Sequence, residues 1–290
     1  MTAPRTRLDT ESIANRLRQA NIAAAEALAA LAAPSVRIAA RREVNLPLGA
    51  SRFGGDPDLP AGFVWPSRDG RSLTFLAQLD LSHLDAPGLP ASGWLLFFFD
   101  VARQPWGFDP KDAGGARVVH VDAARGDLVR HAHPEVESAG GPFELCALDP
   151  SLTLDLPDRW DSVIRDAGIE IDEDRWEAYD AVAQTLSGVE EDAQYHHLLG
   201  HPQLVQDDMR SECQLVTHGI YCGGPRLESE RERELLRNAA ADWQLLLQLD
   251  TDEDGPGWMW GDCGRLYFWI RRADLAAFAF DRAWVVLQCG

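Results

Sequence analysis

Two stretches of the chain repeat one layout, and that repeat limits what the whole can fold into. Residues 72–99, SLTFLAQLDLSHLDAPGLPASGWLLFFF, run from an apolar segment closing on Gln78-Leu79-Asp80, through a turn-rich loop, to a glycine and a second apolar segment. Residues 242–270, DWQLLLQLDTDEDGPGWMWGDCGRLYFWI, do the same around Gln248-Leu249-Asp250. Large apolar residues in unbroken runs bounded by Gly and Asp read as strands buried on both faces. The correspondence extends outward in order. Gly55-Asp-Pro-Asp-Leu59 precedes the first copy as Gly200-His-Pro-Gln-Leu204 precedes the second, and Arg117-Val-Val-His120 follows the first as Trp284-Val-Val-Leu287 follows the second. Two similar β-rich halves bury such runs most simply by packing about a shared core. The expectation is therefore an α+β fold with internally duplicated β-rich halves related by pseudo-twofold symmetry, plus N-terminal and inserted helices.

No stretch reads as a linker, so the chain is expected to form one domain in four parts. These are an N-terminal tail and helix over residues 1–33, a first half over 34–130, a helical insertion over 131–195 and a second half over 196–290. Residues 1–9 read as disordered. From Thr10 to Ala32 the positions Ile13, Leu17, Ala20, Ala24, Leu28 and Leu31 make one helix face, and Pro34 stops it. In the insertion, Asp158 reads as the cap of a short helix ending at Gly168. Asp172 opens a second helix carrying Trp176, Tyr179, Ala183 and Leu186 before Gly188. Ser229 and Glu232 have capping-box spacing for a third helix running to about Asp242. Residues 117–121 and 127–130 flank a turn and read as a hairpin.

Composition narrows the function classes. The 46 Asp and Glu against 27 Lys and Arg leave a formal charge of −19. No Lys/Arg cluster forms a stripe able to displace phosphate counterions, which argues against DNA or RNA as a partner. No apolar run reaches the roughly 18 residues that cross a bilayer, and the opening MTAPRTRLDTES lacks the apolar core of a signal peptide. Cysteines at 146, 213, 222, 263 and 289 form no disulfide framework. The expectation is a cytoplasmic protein with reduced thiols and no membrane partner.

Four motifs occur together in a recognisable order. They are Ser51-Arg-Phe-Gly-Gly-Asp-Pro-Asp-Leu-Pro60 with Trp65-Pro66; Phe75-Leu-Ala-Gln-Leu-Asp80; His197-Leu-Leu-Gly-His-Pro202 with Gln206-Asp-Asp-Met209 and Glu212-Cys213; and the run from Leu245 to Trp269. In this order the chain resembles the YwqG-like family, a bacterial domain family of unknown function, over about residues 46–288. The resemblance implies an α+β fold with an internal duplication and carries over no reaction. The N-terminal helix and residues 159–191 fit the family's pattern least well.

Several constellations are candidates for chemistry. Asp250-x-Asp252-x-Asp254-Gly255 has the first six positions of a calcium loop, where alternate carboxylates point at a common centre. Position twelve is Gly261, so only Asp262, one residue late, offers a closing carboxylate; the competing reading is an acidic turn between strands. No cofactor is expected apart from this Ca²⁺ candidate. Asp80 and Asp250 each follow a buried run, and the repeat could bring both to one cleft beside Gln78 and Gln248. With His201 they form the candidate catalytic set of a metal- or carboxylate-assisted hydrolase, against the plain reading of strand-terminating caps. His196, His197 and His201 with Asp207 and Asp208 fit no zinc spacing, and Cys213, His218 and Cys222 are too few for a closed zinc site unless Cys263 or His201 joins them. His131 and His133 read as a surface hairpin.

Trp65, Trp106, Trp258 and Trp260 lie in Gly/Pro-rich loops next to Asp, which suits a cleft for a cationic or sugar-like ligand, or lids over the two half-cores. The candidate ligand-binding residues are accordingly Trp65, Gln78, Gln248, Trp258 and Trp260. Read together, these features favour a non-catalytic binding module for a basic protein or a small ligand over the hydrolase.

Overall fold

The apolar runs of both repeats are strands of one sheet in the computed structural model, which describes residues 9–84, 86–134, 142–189, 193–224, 229–237 and 239–290. Of the tail expected over residues 1–9, all but Asp9 lies outside the described residues. In chain order the strands of this sheet are β1 (Ala33–Arg42), β2 (Arg52–Phe53), β3 (Thr74–Asp80), β4 (Trp94–Phe99) and β5 (Ala116–Val121). Then follow β6 (Cys146–Asp155), β7 (His196–Leu199), β8 (Trp243–Asp250), β9 (Arg265–Arg271) and β10 (Trp284–Gln288). They form a 10-stranded sheet in the order β10-β9-β8-β7-β1-β6-β2-β3-β4-β5. The connectivity reads the same from either edge: each half runs outward in four successive strands from the central pair. That pair, β1 and β6, is antiparallel over its whole length, from Ala33 opposite Asp155 to Arg42 opposite Cys146.

The unbroken apolar runs are explained by where their two faces go. Leu95, Phe97 and Phe99 of β4 join Leu266, Phe268 and Ile270 of β9 in one buried cluster, with the Phe97 and Phe268 rings 5.1 Å apart. The sheet therefore curls until its two arms share an interior. The opposite faces are buried separately, Trp94, Leu96 and Phe98 against Leu59, Phe75 and Leu128, and Tyr267 and Trp269 against Met209, Cys213 and Trp243. Each large apolar side chain so buried stabilises by about 1.5–3 kcal/mol, which is why strict alternation is absent from these strands.

Local irregularities recur at matching positions. β3 carries a bulge between Phe75 and Ala77, and β8 carries one between Leu245 and Leu247. The chain leaves β2 through Gly54 and Gly55 at φ +58° and +61°, and it leaves the end of β7 through Leu199 and Gly200 at +60° and +74°. Left-handed backbone suits glycine and costs roughly 1–2 kcal/mol for other residues, so buried Leu199 is held there by its packing. The two arms also cover each other's edges. The β10 amide of Leu287 donates to the Trp106 carbonyl at 3.0 Å, Trp284 Nε1 donates to the Gly107 carbonyl at 2.9 Å, and Arg117 on β5 donates to the Asp281 carbonyl at 3.3 Å.

Three expectations change. The N-terminal helix is two helices, α1 (Thr10–Gln19) and α2 (Ala25–Ala30), because Asn21 takes φ +57°, a conformation its short polar side chain tolerates. Ile13, Leu17, Ala25 and Leu28 still share one cluster, so the periodicity reports the common packing face and not helix continuity. Residues 117–121 and 127–130 do not pair with each other. β5 pairs with β4, whereas Leu128–Arg130 pairs with Asp58–Pro60 in a separate two-stranded sheet, drawn there by Arg130 Nε bonding Asp58 Oδ1 at 2.9 Å. Finally, the segment read as a helical insertion contains β6, a central strand. Its sequence, CALDPSLTLD, holds Pro150, which is tolerated because the far side of β6 is paired only at Cys146 and Ala147.

The inserted helices themselves are present as α3 (Ser162–Asp166) and α4 (Trp176–Ser187), the first capped by Asp161 rather than Asp158 and the second ended by Gly188 in left-handed backbone. With α1 and α2 they cover the β6 end of the sheet through Leu154, Leu156, Ile164 and Tyr179. Ser229 and Glu232 form the expected reciprocal capping box on Glu230–Leu236. Among the described residues no helix is long and apolar enough to cross a membrane.

Candidate functional site

The two repeated glutamines are fully buried and brace corresponding turns. Gln78 Oε1 accepts the Asp58 amide at 2.8 Å and its Nε2 donates to the Ala50 carbonyl at 3.0 Å. Gln248 Oε1 accepts the Gln203 amide at 2.9 Å and its Nε2 donates to the Tyr195 carbonyl at 2.9 Å. Buried amides with both ends occupied are fixed, and here they set the path of the segments entering β2 and leaving β7. In the second half this positions Tyr195 and residues 200–204 opposite α4.

The space between them is a cleft of about 380 Å³ bordered by Asp155, Asp158, Tyr179, Asp180, Tyr195 and His201. Asp155 ends β6 and is only 4% exposed. Its Oδ1 accepts the Tyr195 hydroxyl at 2.9 Å, while its Oδ2 has no hydrogen-bond partner. Burial, and then the Asp155 charge, push the Tyr195 hydroxyl well above its ordinary pKa, so it stays a donor. Burial also raises the Asp158 carboxyl, with the neighbouring Asp180 and Asp161 charges adding to the effect. Arg265 is the one guanidinium on the described wall, and it is already paired with Asp250 at 3.1 Å. The cleft thus gathers Asp155, Asp158 and Asp180 on one wall, where Asp180 pairs with Arg159 and Asp158 accepts the Trp160 amide at 2.9 Å.

Ser35, His197 and Asp155 come together without forming a catalytic triad. Ser35 Oγ lies 3.2 Å and Asp155 Oδ2 3.6 Å from the same nitrogen, His197 Nδ1, which faces the Leu199 carbonyl at 2.9 Å. A triad needs serine and aspartate on opposite nitrogens, and His197 Nε2 is buried without a partner. The ring stacks on Tyr195 at 4.6 Å, and burial lowers its pKa. It is a packing and orienting group for Tyr195.

The sequence-predicted residues separate into distinct surroundings. Asp80 Oδ1 accepts the Ser82 amide at 3.1 Å and hydroxyl at 2.6 Å, and its Oδ2 pairs with Arg125 and with exposed His83 at 3.0 Å. Burial opposes its ionisation, but these bonds prevail and hold the carboxyl below its usual value. Asp250 faces Arg265 and accepts the Tyr195 amide at 3.1 Å. His201 Nε2 faces the Leu31 carbonyl at 2.8 Å, and its Nδ1 lies 3.8 Å from Asp161 Oδ2. Of the three, only His201 borders the cleft. His196 points away from its neighbours: Nδ1 accepts the Asp250 amide at 3.1 Å, so Nε2 carries the proton facing Asp252 at 3.3 Å.

The acidic loop is stitched to the protein. Asp252 Oδ1 accepts the Gly255 amide at 2.7 Å, and burial of this carboxyl is outweighed by the His196 bond and that amide. Asp254 and Asp262 are exposed. Among the described residues no group of three or more His, Cys, Asp or Glu is arranged to hold a metal ion. Trp258 and Trp260 are fully buried rather than displayed on a loop surface, and both indoles donate to the Asp250 carbonyl, at 2.8 and 3.2 Å. They fill the shared core because Phe53, Phe99 and Phe143 pack on them. Trp65 is half-buried, with its Nε1 on the Leu73 carbonyl at 2.8 Å, and Trp106 remains exposed.

Asp155, Tyr195, Asp158 and Arg265 were not visible as candidates in the sequence. Asp155 closes a strand that the reading missed, and the only available signal was the alternation of Leu152 and Leu154 before it.

Residues 51–289 match the family model described as Domain of unknown function (DUF1963). No curated protein matches the chain.

Proposed function

Since the chain belongs to the DUF1963 family of domains of unknown function, we propose that it is a non-catalytic binding module whose acidic cleft receives a small organic cation, an alkylammonium or guanidinium group. The observation that carries this reading is the gathering of Asp155, Asp158 and Asp180 on the wall of one 380 Å³ space. A cation placed among three carboxylates gains attraction from each of them. Burial chiefly raises the Asp158 carboxyl and the Asp180 and Asp161 charges add to it, so a cation beside it favours its ionised form.

The test is isothermal titration calorimetry with 1,4-diaminobutane, using 1,4-butanediol as the neutral match. Binding of the diamine alone, weakened by Asp155→Asn and Asp180→Asn, is the expected result. No heat with the diamine, or equal binding of the diol, overturns the reading. A lysine or arginine of a basic protein presents the same groups, so neutralisation of a basic partner is the same chemistry on a larger scale.

We also infer that the chain is a YwqG-like protein of bacterial origin working in the cytoplasm, a reading supported by the four ordered motifs. Descent of its halves from a duplication is supported by the palindromic strand order, the matched bulges and the paired Gln78 and Gln248 braces.

A further inference from the structure

His201 also borders a second cavity, of about 170 Å³, whose chemistry is the reverse of the acidic cleft. Its polar wall is Arg210, Gln244, Arg272 and His201, and its apolar wall includes Pro34 and Leu199. Arg210 is 3% exposed. Its Nη1 is held by Asp161 at 2.6 Å and Asp208 at 2.7 Å, which fixes the plane of the guanidinium over the Trp269 ring. Its Nε has no partner. The exposed Arg272 makes one bond, to Gln244 Oε1 at 3.1 Å. Burial, and after it the Arg210 charge, pull the Arg272 guanidinium below its ordinary value. Asp161 and Asp208 offset the Arg210 charge, whereas no carboxylate pairs with Arg272 among the described residues.

A wider groove of about 810 Å³ adjoins this cavity and shares Val163 and Arg272 with it. Arg165 and Arg237 line the groove, and both are exposed. Four arginines thus gather around one depression, with Asp166 on Arg165 and Asp161 and Asp208 on Arg210.

We propose that this depression is a binding site for a phosphate monoester, with the phosphate between Arg210 and Arg272 and the organic part along the groove toward Arg165 and Arg237. Arginine suits the task because its planar fork donates two parallel bonds to a phosphate. The small cavity has room for the phosphate, and the apolar Pro34 and Leu199 keep water from competing for it. The site shares His201 with the acidic cleft but uses none of its carboxylates.

The experiment is calorimetric titration of the full chain with inorganic phosphate, phenyl phosphate and benzoate, each at fixed ionic strength in a phosphate-free buffer. Phenyl phosphate is expected to bind more tightly than inorganic phosphate, and both more tightly than benzoate. Arg272→Gln changes an exposed side chain and is expected to weaken phenyl phosphate roughly tenfold or more, the loss of a charge-assisted pair. Absence of binding by either phosphate overturns the proposal, as does equal binding of benzoate or unchanged affinity in Arg272→Gln. Binding of 1,4-diaminobutane should be the same in Arg272→Gln and wild type, which separates this site from the cleft.

Discussion

Replacing Asp58 by alanine should be among the most damaging single changes in the molecule. Asp58 and Arg52 are both fully buried and paired side chain to side chain. Asp58 also accepts the Gly49 amide at 2.7 Å and Arg130 Nε at 2.9 Å, while Arg52 donates to the carbonyls of Asp56 at 3.0 Å and Pro47 at 3.3 Å. Burial draws the Arg52 guanidinium down to about 10, with the Asp58 charge acting against that, so it remains charged at neutral pH. Asp58→Ala leaves that charge in the interior without its counter-ion. Breaking a buried pair from one side costs about 3–5 kcal/mol, and the orphaned Gly49 amide places the total toward the upper end. Urea denaturation followed by far-UV circular dichroism reads the loss directly. The double replacement Arg52→Met with Asp58→Leu removes both charges and should lose less than Asp58→Ala alone. A cost below about 1 kcal/mol for the single variant, or a larger loss in the double, would refute the reasoning.

Other expectations follow from the same geometry. Gln248→Leu orphans the Gln203 amide and the Tyr195 carbonyl and should cost about 2 kcal/mol or more; because both residues line the cleft, it should also weaken diamine binding, whereas Gln78→Leu should destabilise comparably and leave binding intact in a calorimetric comparison. Gly70→Ala meets no neighbouring atom, but φ is +78° in the Asp69-Gly70 turn, so a loss of about 1–2 kcal/mol in urea melts would isolate backbone strain. Asp161 is held down to about 2: burial opposes its ionisation, but His201 and Arg210 outweigh it. A depressed carboxylate contributes stability that is full above its unfolded value and lost as pH falls toward 2. Thermal melts between pH 5 and 2 should therefore fall more steeply for wild type than for Asp161→Asn. Diamine affinity should drop on acidification through the raised Asp158 value, and a flat profile would exclude that carboxyl from the cleft's charge.

The sheet was legible in the sequence because both of its faces are dry. Phe97 and Phe98, or Phe268 and Trp269, point opposite ways into different cores, and runs of that kind have no reading other than doubly buried strands. The equivalence of Gln78 with Gln248 was visible for a related reason: the same backbone groups need the same brace in each half. β6 was hidden because its outer positions are partly exposed and it carries Asp149 and Pro150, so local chemistry spoke for a turn and long-range pairing with β1 decided otherwise. The same gap hid the cleft, since Asp155 belongs to β6 and its partner Tyr195 lies 40 residues away in sequence. The acidic loop misled in the opposite direction. Its alternating aspartates suggested a cation site, yet Asp250 and Asp252 are turned inward by Arg265, Tyr195 and His196, groups that no local pattern reveals.

The reciprocal cover of the two sheet margins has a consequence for synthesis. The turn holding Trp106 and Gly107 leaves the ribosome long before β10, the strand it shields, exists. β5 likewise waits for Asp281. Until β10 emerges, the nascent protein carries an unguarded rim on which stray chains polymerise.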